Sequence, residues 1–219
     1  MPRKKLTQLS DHNPRFNEKY SLYGLDKENC KKILNLVQGR WQESKVEADS
    51  SWGEHNAIDA TEYVTNDILR TSDIFWTKEQ WVVDLLWQYM HHTNCFTGKR
   101  WAIDAVETMQ ITRYREKDFY DFHIDGRGDH HAKYMAVENE LMHGKVRKMS
   151  MTVLLNDDYE GGEFQFAVCE KGRIEVIPVE EKSTGTIIVF PSTMEHRVTP
   201  VTKGTRYSLV AWYLGPPFE

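Results

Sequence analysis

From about Ile103 onward the chain is built of short β-branched and aromatic runs separated by glycine, asparagine and aspartate, with no helical periodicity between them. Strands are predicted near 103–115, 119–124, 148–155, 164–168, 173–179, 186–190, 196–200 and 205–214. So many short strands in uninterrupted succession argue for a sandwich or barrel. One segment breaks the pattern: 126–147 begins Gly126-Arg127-Gly128-Asp129-His130-His131 and runs through charged residues to His143-Gly144, and it reads as a long mobile loop.

The front of the chain reads differently. The first twenty residues are polar and proline-containing, an extended tail. Asp26 can cap a helix whose apolar residues Cys30, Ile33, Leu34, Val37 and Trp41 recur at three- and four-residue steps, with Gly39 near its end. Thr77 and Gln80 form a capping-box pattern before a second helix carrying Trp81, Val82, Leu85, Leu86, Tyr89 and Met90. The fold class is therefore α+β: a sandwich or barrel core over 103–219, buttressed by a mainly helical segment over 1–102, within a single domain of 219 residues.

Composition narrows the partners. With 28 basic against 33 acidic residues the net charge is -5, so there is no global basic field to hold nucleic acid. Cys30, Cys95 and Cys169 are odd in number and lack CxxC spacing, which excludes a disulfide framework and a zinc knuckle and fits a reducing, cytoplasmic setting. No apolar stretch resembles a signal peptide or reaches membrane-spanning length.

The chemistry lies among the histidines. His123 and Asp125 are two residues apart at a strand end, so both can face one ion. Alone, such a pair is as readily a strand-end histidine hydrogen-bonded to a turn. His196, after the buried-looking strand TGTIIVF and the turn PSTME, offers a third ligand. Two imidazoles and one carboxylate leave open positions that suit Fe(II), with zinc as the competing metal. Arg206, predicted on the far arm of a hairpin turning at TKG, shares a strand face with Ser208 and Trp212. A guanidinium there could fork onto the distal carboxylate of a five-carbon keto diacid whose other end chelates the metal, which favours iron. His130, His131 and His143 read as solvated loop residues, and His91-His92 as a charged pair at a helix end. Gly161 and Gly162 read as turn residues. By strand parity Tyr120 lies on the face opposite His123 unless the strand bulges.

These residues resemble the 2-oxoglutarate- and Fe(II)-dependent oxygenases, and within them the prolyl 4-hydroxylase-like branch. YREKDFYDFHID is similar to that branch's Y-x-x-G-x-x-Y-x-x-H-x-D; TVLLNDDYEGGEFQF and GTIIVFPSTMEHRVTPVTKGTRYSLVAWY resemble its later strands. The resemblance covers roughly 105 to 214. It implies a double-stranded β-helix with iron on His123, Asp125 and His196, and 2-oxoglutarate on Arg206, helped by Tyr114 and Ser208. It implies an enzyme that uses O2 to hydroxylate a C–H bond of a prolyl residue in a peptide or protein, releasing succinate and CO2, with ascorbate as a reductant. A free amino acid or other small molecule as substrate, and a sensor that binds 2-oxoglutarate without turnover, are the alternatives. Nucleic-acid dealkylation is disfavoured, because relatives with that activity carry a second arginine where this chain has Trp212. Lys117 replaces the motif's glycine, Leu154 stands where several prolyl hydroxylases have tyrosine, and Arg206 stands where collagen-type enzymes have lysine.

Overall fold

A computed structural model describes residues 15–16, 19–44, 46–47, 63–64, 69–125, 133 and 142–218. Strands β1 (Arg15–Phe16) and β2 (Ser21–Gly24) precede helix α1 (Lys27–Asn35). Short strands β3 (Gln42–Glu43), β4 (Val46–Glu47), β5 (Tyr63–Val64) and β6 (Arg70–Thr71) follow, then β7 (Asp73–Thr77) and helix α2 (Gln80–Phe96). Among the described residues that follow, every element is a strand: β8 (Ala105–Val106), β9 (Met109–Tyr114), β10 (Phe119–His123), β11 (Val146–Leu154), β12 (Tyr159–Gly161) and β13 (Phe164–Glu170). It ends with β14 (Arg173–Pro178), β15 (Thr186–Pro191), β16 (His196–Val198), β17 (Val201–Gly204) and β18 (Arg206–Gly215).

These strands make two principal antiparallel sheets. The larger runs β1-β2-β15-β11-β18-β9-β7-β3, with β8 also on β18; the smaller runs β14-β13-β16-β10-β6. Neighbours in space are distant in sequence, as a jelly roll requires. The two sheets share one apolar cluster, in which Tyr114, Ile188 and Phe190 of the larger meet Phe164, Phe166 and Val198 of the smaller.

The larger sheet sorts its residues by parity. Ile111, Met149, Met151, Val153, Leu209 and Ala211 point outward and pack against Cys30 and Ile33 of α1 and Val82, Leu86 and Met90 of α2. Their even-numbered neighbours point inward, and many are polar: Gln110, Thr112, Ser150, Thr152, Arg206 and Ser208 are all buried. Helix α1 starts where predicted, with the Asn29 N–H donating to Asp26 Oδ1 at 2.8 Å.

Among its described residues the front segment holds strands as well as helices. Besides the helices it supplies β2 and β7 to the larger sheet and β6 to the smaller. Those strands are too short, and β6 too polar, for their alternation to stand out. The predicted capping box is not formed either. Thr77 is the last residue of β7, its hydroxyl accepts from the Glu79 N–H at 3.3 Å, and the N-cap Glu79 makes no side-chain capping bond.

Candidate metal centre

The site begins with a fault in β10. Tyr120 pairs with Val198 and His123 with His196, so three steps along β10 match two along β16. This bulge turns the chain locally and cancels strict alternation. Tyr120 and His123 therefore lie on one side, their rings stacked with centroids 3.5 Å apart and 11° between planes. The parity argument for Tyr120 fails here because it holds only for an unbulged strand.

The three metal-ligand candidates converge. One donor atom each from His123, Asp125 and His196 lies within 4.8 Å of the others. His123 Nε2 is 3.9 Å from Asp125 Oδ1, and His196 Nε2 is 3.5 Å from Asp125 Oδ2. The other nitrogen of each ring, Nδ1, is 2.8 Å from a carbonyl oxygen, that of Asp121 for His123 and of Met194 for His196. A carbonyl can only accept, so Nδ1 carries the proton in both rings and the Nε2 lone pairs are bare. Asp125 is fixed by its N–H donating to the Ser192 carbonyl at 3.0 Å.

Electrostatics keep these donors ready for a cation. Burial, reinforced by the neighbouring His196, pushes His123 down to about 3, so its imidazole is neutral. Burial works to raise Asp125, but His196, His123 and Arg147 outweigh it and hold the carboxyl below its ordinary value. Asp125 Oδ2 is buried and has no hydrogen-bond partner. A buried carboxylate oxygen left unpaired between two bare imidazole nitrogens fits a metal ion.

Arg206 is the second unfulfilled group. It is 1% exposed, its Nη1 donates to Ser208 Oγ at 3.0 Å, and its Nε and Nη2 have no partner. A buried guanidinium with two free donors is a site for an anion. Arg206 pairs across the sheet with Tyr114, and its guanidinium carbon lies 5.4 Å from that ring's centroid. Gly162 presses on its stem: a Cβ there would sit 2.9 Å from Arg206 Cδ. Position 162 is thus reserved for glycine by contact with the arginine as well as by its φ of +56°.

The predicted hairpin does not exist. His196 lies in the smaller sheet and Arg206 in the larger, with β17 between them paired to β12. The TKG sequence is strand rather than turn. The two residues stand on different sheets, not along one ladder. Trp212, on the face of Arg206 and Ser208, is 8% exposed, with its Nε1 unpartnered. Arg147 sits 4.3 Å over its ring and makes a two-point ion pair with Glu107 at 2.6 and 2.7 Å. Leu154 is opposite Ser208. Arg147 and the Ser150–Ser192 hydroxyl pair at 2.9 Å were not singled out from sequence, since neither carries a spacing signal.

Other candidates separate from the site. His143 is exposed in a turn, whereas His130 and His131 lie outside the described residues. His91 and His92 are inside α2 and not at its end; His92 Nδ1 is 3.0 Å from the Tyr23 hydroxyl. Lys117 takes the left-handed conformation of the motif's glycine, with φ 74°. A cavity of about 460 Å³ beside Leu34, Val37, Trp41 and Tyr207 opens on the outer face of the larger sheet, because Tyr207 alternates with Arg206.

Residues 109–214 match the model of the 2OG-Fe(II) oxygenase superfamily. A PKHD-type hydroxylase of Picosynechococcus sp. is 36% identical over 110 residues, 49% of this chain and 42% of that protein. The chain thus spans less than half the length of the curated relatives it matches. Among solved structures, a Pseudomonas putida prolyl-4-hydroxylase superposes with a TM-score of 0.58 at 17% identity, covering 89% of this chain and 91% of the other. A Trichoplax adhaerens prolyl hydroxylase, in complex with a hypoxia inducible factor oxygen degradation domain peptide fragment, gives 0.63 at 16% identity, covering 90% and 84%.

Proposed function

We propose that this chain, whose residues 109–214 match the 2OG-Fe(II) oxygenase superfamily, hydroxylates a C–H bond of a prolyl residue in a peptide or protein. One observation carries the reading. Two imidazoles with bare Nε2 atoms and a carboxylate with an unpaired oxygen converge in a sheet interior that also holds a buried arginine with two free donors.

His123, Asp125 and His196 would hold Fe(II) on one side. The set contains no thiolate, as a structural zinc site usually would. When bound, Fe(II) together with 2-oxoglutarate and O2 supplies the oxidising power for hydroxylation, with succinate and CO2 as coproducts. Arg206, whose Nε and Nη2 lack partners, would anchor the distal carboxylate of 2-oxoglutarate, with the Ser208 hydroxyl and Tyr114 completing that end of the site. Gly162 leaves room for the arginine stem. Ascorbate serves as reductant. The free thiols of Cys30, Cys95 and Cys169 suit a reducing, cytoplasmic compartment.

The peptide reading draws on the branch resemblance and on the Trichoplax neighbour, whose structure holds a peptide. Mass spectrometry of the iron-loaded protein with 2-oxoglutarate, O2 and a panel of proline-containing peptides is expected to show a mass gain of one oxygen together with succinate. Succinate coupled only to free proline or another small molecule would remove the peptide substrate. Normal anaerobic binding of iron and 2-oxoglutarate with no succinate from any substrate would indicate a sensor instead.

A further inference from the structure

The segment ahead of the jelly roll supplies none of the three ligands, yet β6 brings a buried cation up to one of them. Tyr120 pairs with Arg70 and Phe119 with Thr71, and the Asp121 N–H donates to the Leu69 carbonyl at 2.8 Å. Arg70 is 8% exposed and its Nε donates to Ser72 Oγ at 2.8 Å. Its guanidinium carbon lies 4.7 Å over the Tyr120 ring. His123 lies 3.5 Å from the same ring and nearly parallel to it. An imidazole so close covers the whole face it meets, which leaves the guanidinium the opposite face. The order is Ser72, Arg70, Tyr120, His123.

We propose that Arg70 is a positioning residue that acts through Tyr120 to set the plane of the metal ligand His123, an inference that rests on the metal-centre reading above. The Nδ1–H bond to Asp121 fixes the tautomer of His123, but one hydrogen bond in the ring plane leaves the imidazole able to tilt about it. A flat ring held against its face removes that freedom. Aromatic pairs left to themselves prefer an offset or edge-on arrangement to a face-to-face sandwich. The centroid separation of 3.5 Å leaves little room for offset, so Tyr120 has to be held in place. Arg70 holds it, by cation–π attraction on the far face and by the β6–β10 pairing. A metal-bound imidazole also carries more positive charge than a free one, so the phenol face favours the loaded ligand.

The test is anaerobic titration of the full chain with Co(II), reading its visible d–d bands for affinity and ligand geometry, beside thermal unfolding of the metal-free protein. Arg70→Met is expected to weaken Co(II) binding about tenfold and to change the d–d band shape, as loss of a group that orients a ligand does. Arg70→Lys should restore most of both. Tyr120→Leu should equal or exceed the Arg70→Met loss, whereas Tyr120→Phe, which keeps the ring, should stay near wild type. Wild-type affinity and spectrum in folded Arg70→Met would overturn the inference. So would Tyr120→Phe proving as damaging as Tyr120→Leu, even if Arg70→Met does not fold. Failure of the unaltered protein to bind Co(II) or Fe(II) would instead bring down the metal-centre reading.

Discussion

The two faces of the larger sheet are made by the same strands and do opposite work. Outward residues such as Met151, Leu209 and Ala211 are apolar and sealed under α1 and α2. Inward residues such as Thr152, Ser208 and Arg206 are buried but polar. Burying apolar side chains stabilises the fold by about 1.5–3 kcal/mol each, whereas burying an unpaired polar group costs free energy. The outer face and the inter-sheet cluster therefore carry the stability that lets the inner face keep unfulfilled donors and acceptors. Holding a ligand and holding the fold are assigned to alternate residues.

That division can be broken from either side. The largest effect should come from Asp125→Ala, which is expected to abolish Fe(II) binding and turnover while urea unfolding of the metal-free protein changes little. A matching collapse in stability would show that the inner face also carries the fold. On the outer side, Leu86→Ala removes a fully buried side chain of α2 and should cost about 2–5 kcal/mol in chemical denaturation. Its 2-oxoglutarate KM should not move. Arg206→Ala should raise that KM about a hundredfold, roughly 3 kcal/mol, with iron affinity nearly unchanged. An unchanged KM would rule out the arginine as anchor.

The smallest change is at the helix cap. Asp26→Ala should cost about 1 kcal/mol of stability and leave catalysis alone. The Asn29 N–H holds the Asp26 carboxyl below its ordinary value. A carboxyl depressed on folding contributes stability above its unfolded pKa and loses it as pH falls through the folded value. The difference between Asp26→Ala and the unaltered protein should therefore be full at pH 7 and vanish in acid. A difference that persisted at low pH would mean that the cap is not electrostatic.

The sequence was most informative where chemistry and period coincide. His123, Asp125 and His196 could be picked out by residue type and strand position, and most strand positions after Ile103 by alternation. What stayed hidden depended on pairing. The hairpin expected between His196 and Arg206 failed because β17 intervenes and pairs elsewhere, and nothing local announces a partner so far away in sequence. The strands β2, β6 and β7 were missed because each is short and leans on a distant neighbour. Arg70 carries no motif, and only the β6–β10 pairing brings it to Tyr120. Lys117 was noted as a departure from glycine, but sequence could not tell that it would keep the left-handed backbone.

The bulge in β10 bears on which changes of length this chain can tolerate. Substitutions in a strand alter one side chain at a time, whereas losing one residue between Tyr120 and His123 would restore plain alternation. Tyr120 and His123 would then be two positions apart and could keep both partners on β16, but the local turn of the bulge, and with it the backbone that sets the Asp121 carbonyl on His123 Nδ1, would be lost. Insertions and deletions should therefore be excluded from this four-residue stretch far more strictly than substitutions. Among proteins descended from the same ancestor, the spacing between these two rings should vary less than the residues that fill it.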